Sequence, residues 1–152
     1  MGMVATLINS LALKEVLLKH RVKAEVFSLL SATSVAPNYQ ATLVNKNLDK
    51  NVVCILAGGT GKPFFSTDTG AAKDAQELHA HQIVMGKDGV DGIYSDDPKK
   101  NKQATRFNHL SFKEVIAKKL KVMDLAAIKI CQAHKLTFWF LILKDQTLSL
   151  KR

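Results

Sequence analysis

Apolar positions recur at Val4, Leu7, Ile8, Leu11, Val16 and Leu17. This spacing predicts a helix over residues 3–19 with one buried stripe. Residues 26–30 read as a short strand and 40–50 as a weak, polar-ended helix. The run Val52-Val53-Cys54-Ile55-Leu56-Ala57 is apolar at every position, as in a strand covered on both faces of a parallel sheet. A Gly/Pro loop follows over 58–66. An Ala-rich helix is expected over 68–80, with Thr67 or Asp68 able to cap it. Residues 82–85 form another buried strand, and Asp91-Gly92 is a turn signal before Ile93 and Tyr94. Ser111 with Glu114 three residues on has the form of a capping box. A further helix over 123–134 and a strand over 137–143 complete the pattern.

Helices alternating with buried strands imply an α/β fold, layered around a central, mainly parallel sheet with helices on both faces. The first helix begins without a Ser, Thr, Asp or Asn cap, and little chain follows the last strand. The expectation is therefore a single domain portion over 1–152; that the part it lacks is the N-terminal strands is what the family resemblance given below implies. Length, with 47% apolar and 23% charged residues, fits one globular domain. No run reaches the ~20 apolar residues a spanning helix needs, so no membrane association is expected. No secretion signal is read at the start. Cys54 and Cys131 each lie in an apolar run, which fits free thiols in a reducing cytoplasm better than a disulfide.

The formal charge is +9. Much of the excess lies late, at Lys99, Lys100, Lys102, Arg106, Lys113, Lys118, Lys119 and Lys121. Anionic partners follow from that balance; a solvated basic face is the plainer reading. The cations do not interleave with aromatics and no zinc knuckle is present, so nucleic acid is disfavoured as a partner. The five histidines show no metal-ligand spacing, and no metal is assigned to the protein itself.

The segment Gly58-Gly59-Thr60-Gly61-Lys62-Pro63-Phe64-Phe65-Ser66-Thr67-Asp68 stands between a buried strand and a helix, where open α/β sheets bind ligands. Three glycines let backbone N–H groups approach a phosphate. Thr60, Ser66 and Thr67 add hydroxyls, and the following helix start favours an anion. A Walker A loop is excluded, because Leu56 and Pro63 stand where it needs Gly and Ser or Thr. A ligand-free Gly-rich turn is the alternative.

This segment is similar to the acceptor-binding loop of bacterial-type UMP kinases, in the amino acid kinase superfamily. The resemblance continues through Met1-Gly2-Met3-x-Ala5-Thr6-x-Ile8-Asn9, Val90-Asp91-Gly92-Ile93-Tyr94-Ser95-x-Asp97-Pro98-Lys99 and Leu120-Lys121-Val122-Met123-Asp124-Leu125-Ala126-Ala127. The resemblance implies an amino acid kinase-like fold and phosphoryl transfer from ATP to UMP in pyrimidine biosynthesis, with Mg²⁺ carried largely by the nucleotides. It implies that Gly59, Thr60, Gly61, Lys62, Pro63, Phe64, Phe65, Ser66 and Thr67 hold UMP. Asp68 would organise charge at the reacting phosphates. Asp88, Tyr94 and Asp97 would line the ATP site. Asp124 either supports the active site or caps the helix that begins there. Phe64 and Phe65 are expected to anchor the loop by packing. Full-length relatives form homohexamers.

Two positions depart from the family pattern: Lys62 replaces an Asn, and Asp88 stands where Asn or Thr is common. The family's N-terminal phosphate-binding segments are missing, so the isolated chain is expected to show little or no kinase activity. Two rivals from other classes stay open: a catalytically inactive nucleotide-binding fragment, and a small basic nucleic-acid binder.

Overall fold

A computed structural model describes residues 1–62, 65–87, 92–120 and 122–142. It divides into two compact units, Met1–His79 and Ala80–Arg152.

The first unit contains α1 (Gly2–Lys19), β1 (Ala24–Ser28), α2 (Ala41–Leu48), β2 (Val53–Ala57) and α3 (Thr67–Glu77). Strands β1 and β2 pair in parallel, from Ala24 opposite Val53 to Ser28 opposite Ala57. A parallel pair needs a crossover rather than a hairpin, and α2 lies within that connection. The core is built from Leu7, Val26, Ala36 and Ala57, with Leu11, Ala32 and Ile55 packed on it. Burial rises along β2 from Val53, 43% exposed, to Ala57, which is fully buried. The strand expected to be covered on both faces is thus covered only toward its C-terminal end, where the Gly-rich segment begins.

Helix α1 turns a different face inward from the one the spacing favoured. Leu7 and Ser10 are buried, and Thr6, Leu11, Lys14 and Leu17 are half-buried beside them. Val4, Ile8 and Val16 point outward and are more than half exposed. The cause is compositional: aliphatic residues lie all around this helix, so its periodicity cannot select the inner side. Lys14 Nζ donates to Glu25 Oε1 of β1 at 2.6 Å, which ties the polar part of the buried face to the sheet.

The second unit contains β3 (Gln82–Lys87), β4 (Ile93–Tyr94), β5 (Arg106–Phe107), α4 (Phe112–Ala117), α5 (Leu125–Ala133) and β6 (Thr137–Ile142). Strands β3 and β6 pair in parallel and β4 and β5 antiparallel. Two of the three described pairings are therefore parallel. Val115, Val122 and Ile128 form its core, packed by Ile93, Leu110, Phe112, Leu120 and Met123. The expected capping box is present: Ser111 Oγ accepts from Glu114 N–H at 3.2 Å, and Glu114 Oε2 accepts from Ser111 N–H at 2.8 Å.

Each helix is followed within a few residues by a non-glycine in the left-handed region. These are Arg21, Asn51, His79, Lys119 and Lys135, with φ between 51° and 61°. Such residues turn the chain sharply out of a helix. The turn at His79 also explains why α3 ends at Glu77 rather than at residue 80.

Candidate functional site

The end of β2 leads into a tight turn. Gly58, Gly59 and Gly61 take φ of 96°, 61° and 68°, a region that penalises any side chain except glycine's hydrogen. Gly61 N–H donates to Gly58 O at 3.0 Å and closes the turn. The turn also presses on the residues that follow β1: a Cβ on Gly61 would lie 2.9 Å from Leu29 O, and one on Gly58 would lie 3.1 Å from Leu30 Cγ. At Gly59, among the described residues, nothing lies within 4 Å of that position, so these residues leave space beside it.

The backbone donors of this segment divide into two groups. Gly58 N–H is held by Thr6 Oγ1 at 2.9 Å, and Gly61 N–H is spent on the turn. Lys62 N–H meets Thr60 Oγ1 at 3.3 Å, and the same hydroxyl approaches Lys62 O at 3.2 Å. Among the described residues, the N–H groups of Gly59 and Thr60 make no hydrogen bond. Two of the three glycines expected to present donors therefore use them internally, and the open donors are at 59 and 60.

Helix α3 starts next. Its cap is Ser66, whose Oγ accepts from Thr69 N–H at 3.1 Å, and not Thr67 or Asp68. Capping from 66 places Thr67 and Asp68 in the first turn, and among the described residues their N–H groups are unbonded. Asp68 is half-buried there. Thr69, Gly70 and Ala72 face inward, and a Cβ on Gly70 would lie 3.3 Å from Gly59 C. The helix thus packs on the turn with no side chain between them.

Phe65 does not anchor the segment by packing. It is 51% exposed, and Lys73 Nζ lies 4.9 Å from its ring centroid, a cation–π contact at the surface. Pro63 and Phe64 lie outside the described residues, and Lys62 is exposed. Farther along α3, burial and then the charge of Glu77 push the Asp74 carboxyl up to about 6. Tyr39 donates to Glu77 Oε2 at 3.1 Å; its phenol is pushed up by burial first and this bond second.

In the second unit, Tyr94 pairs with Arg106 across β4 and β5. Asp97 organises the turn beyond them: its Oδ1 accepts from Lys99 N–H at 3.0 Å, and its backbone O accepts from Lys100 and Asn101. The neighbouring Asp96 is held below the usual carboxylate range by the Asn101 amide and the Asp97 N–H. Asp88 lies outside the described residues. Asp124 caps α5, its Oδ1 accepting from Ala127 N–H at 2.8 Å. Of the two roles open for it in the sequence, capping is the one observed. A cavity of about 770 Å³ in this unit is floored by Val115, Val122, Ile128 and Leu136 and edged by Arg106 and Trp139. Tyr94, Asp97 and Asp124 do not line it.

Among the described residues, no group of three or more His, Cys, Asp or Glu side chains stands ready to hold a metal, and no helix is long and apolar enough to cross a membrane. Cys54 and Cys131 are both free, and burial raises each thiol.

Sequence reasoning gave no role to Thr6, Gly70 and Asp96, although Thr6 stands in the first matched motif. Thr6 and Gly70 matter through contacts with the turn that are distant along the chain.

The family model described as "Amino acid kinase family" matches residues 1–140. A uridylate kinase of Mycoplasmopsis pulmonis is 47% identical over 136 residues, covering 89% of this chain and 56% of that protein. One from Protochlamydia amoebophila is 42% identical over 144 residues, covering 95% and 57%. Among solved structures, the UMP kinase from Ureaplasma parvum superposes with a TM-score of 0.90 at 36% identity, over 94% of this chain and 61% of that one. The UMP kinase from Bacillus anthracis gives 0.90 at 32%, over 93% and 58%. The chain spans about half the length of the curated relatives it matches.

Proposed function

We propose that this chain, which belongs to the amino acid kinase family and has its α/β fold, is the nucleotide-handling portion of a UMP kinase that moves a phosphoryl group from ATP to UMP. The whole of 1–152 is read as part of one kinase domain. One observation carries the reading: Gly59 sits at φ 61° and, among the described residues, nothing lies within 4 Å of its Cβ position and its N–H and that of Thr60 are unbonded. Backbone donors next to a void, followed by a helix start with two further unbonded N–H groups, form an anion cradle.

In this reading Gly59 to Thr67 hold UMP, with its phosphate at the 59–60 donors and the α3 start. Thr60 and Thr67 contribute hydroxyls, and Lys62 supplies a point charge at the surface. Phe65 keeps its exposed face for the acceptor's surroundings rather than for the core. Asp68, in the first turn of α3, organises charge where the phosphates react. Phosphoryl transfer asks the protein mainly to align and neutralise, and one half-buried carboxylate suits that work. ATP is assigned to Asp88, Tyr94 and Asp97, and Asp124 supports the second unit by fixing the start of α5. Mg²⁺ enters on ATP and supplies neutralisation of phosphate charge. A cytoplasmic setting belongs to this reading as well; the homohexamer is that of full-length relatives.

A second reading, nucleotide binding without turnover, is favoured by the span of 56–57% of the relatives' length. Isothermal titration with UMP, and then with ATP–Mg²⁺, tests the first point, and an ADP-release assay separates the two readings. UMP binding with turnover far below that of a full-length enzyme is the expected result. Absence of UMP binding overturns the cradle. Oligonucleotide binding that weakens steeply with salt, without UMP binding, points to the nucleic-acid alternative.

A further inference from the structure

We propose that Thr6 is a positioning residue for the UMP cradle, acting through the Gly58 peptide. The inference rests on the cradle reading above and adds to it a residue 52 positions away in sequence.

A threonine hydroxyl has one proton and two lone pairs. In α1 that proton is committed: Thr6 Oγ1 donates to Met3 O at 2.6 Å. A lone pair is then left to accept from Gly58 N–H at 2.9 Å. The helical turn beneath is itself held, because buried Ser10 donates from Oγ to Thr6 O at 2.7 Å. The acceptor that meets the cradle therefore has a fixed direction, set by two bonds inside α1.

Gly58 needs such a partner. It is buried, it stands at φ 96°, and Leu30 crowds the place a side chain would take. A buried N–H with no acceptor costs far more than a hydrogen bond contributes, since water cannot reach it. The other side of the residue is held as well, by Gly61 N–H on Gly58 O. With both polar groups of Gly58 fixed, the next two peptides have little freedom, and these carry the open donors at 59 and 60. Thr6 touches no ligand in this scheme; it sets where the donors stand before a ligand arrives.

The test uses the full chain with Thr6→Val, which keeps the shape and removes the hydroxyl, and Thr6→Ser, which restores it. Three readouts are taken: amide exchange at Gly58, the UMP Kd, and the ATP–Mg²⁺ Kd. Thr6→Val is expected to speed Gly58 exchange and weaken UMP by roughly tenfold, as for loss of one buried hydrogen bond. ATP–Mg²⁺ affinity is expected to stay unchanged, and Thr6→Ser to return both shifted values close to wild type. A merely structural role would lower both nucleotide affinities together. Should Thr6→Val not fold, Thr6→Ala is read in the same way. Wild-type exchange at Gly58 in the hydroxyl-free variant overturns the inference, as does a Thr6→Ser variant that behaves like Thr6→Val. If wild type fails to bind UMP, the functional reading falls, and the exchange data still decide whether Thr6 holds the turn.

Discussion

Gly59 and Gly61 share one backbone conformation and differ in what surrounds them, so alanine at each separates conformational strain from collision. Their φ values are 61° and 68°. A Cβ in the left-handed region costs about 1–2 kcal/mol. At position 59 that is the whole expected cost, because among the described residues nothing lies within 4 Å of the added carbon. At 61 the carbon would lie 2.9 Å from Leu29 O and 3.4 Å from Leu29 Cβ. The contact is with a backbone oxygen that cannot rotate away, and Leu29 is tied to the end of β2 by its N–H to Ala57 O. Forcing an extra carbon into a packed place adds about 1–3 kcal/mol. Gly59→Ala should therefore destabilise by about 1–2 kcal/mol and Gly61→Ala by about 2–5 kcal/mol, summing the two costs. Gly59→Asn should lose least, since asparagine visits this region more readily. Urea titrations followed by far-ultraviolet circular dichroism measure all three. If Gly61→Ala proves no worse than Gly59→Ala, the turn does not press on Leu29 as described.

Two further predictions concern stability. The Asp74 carboxyl is raised from 3.8 to about 6 by burial and then by Glu77, so the fold prefers its neutral form. The stabilisation this gives is complete below pH ~4 and is lost as pH rises through 6. Discounted for partial exposure, the cost of the charge at neutral pH is about 1 kcal/mol. Asp74→Asn should therefore raise the urea midpoint at pH 7.5 and change it little at pH 4.5; equal effects at both values would contradict the assignment. Lys135, at φ 54° after α5, should accept glycine with a gain of about 1 kcal/mol, read as a higher Tm. A lower Tm would show that its side chain contributes more than its backbone costs.

Local signals carried well from sequence to structure where the partners are close in the chain. The Ser111–Glu114 capping box needs only three residues of spacing, and it formed. The apolar run at 52–57 became a strand from 53, and 82–85 became a strand that is not buried as expected, with Val84 half exposed. Asp124 could be read as cap or as site support, and seeing the cap needed the position of Ala127 N–H. Spacing pointed to Thr67 or Asp68 as the cap of α3 and missed Ser66, whose hydroxyl accepts a hydrogen bond as readily as theirs. The inner face of α1 was illegible for a different reason, since Val4 and Ile8 are as apolar as Leu7 and Leu11. Within the candidate site, the glycines announced the turn. They did not reveal that Gly58 and Gly61 turn their N–H groups inward. That depends on Thr6 and on the geometry of the turn itself, and Gly70 gains its meaning only from the approach of Gly59.

Helix α1 has grease on opposite sides, and only one side is used within its unit. Met1, Val4, Ile8 and Val16 stay more than half in contact with water, where aliphatic carbon is least at home. A charge of +9 keeps molecules apart in dilute buffer. Salts that tighten water's exclusion of apolar surface work against that repulsion. Light scattering of the purified chain should therefore climb early in an ammonium sulfate series, and lysine at positions 4 and 8 should delay it.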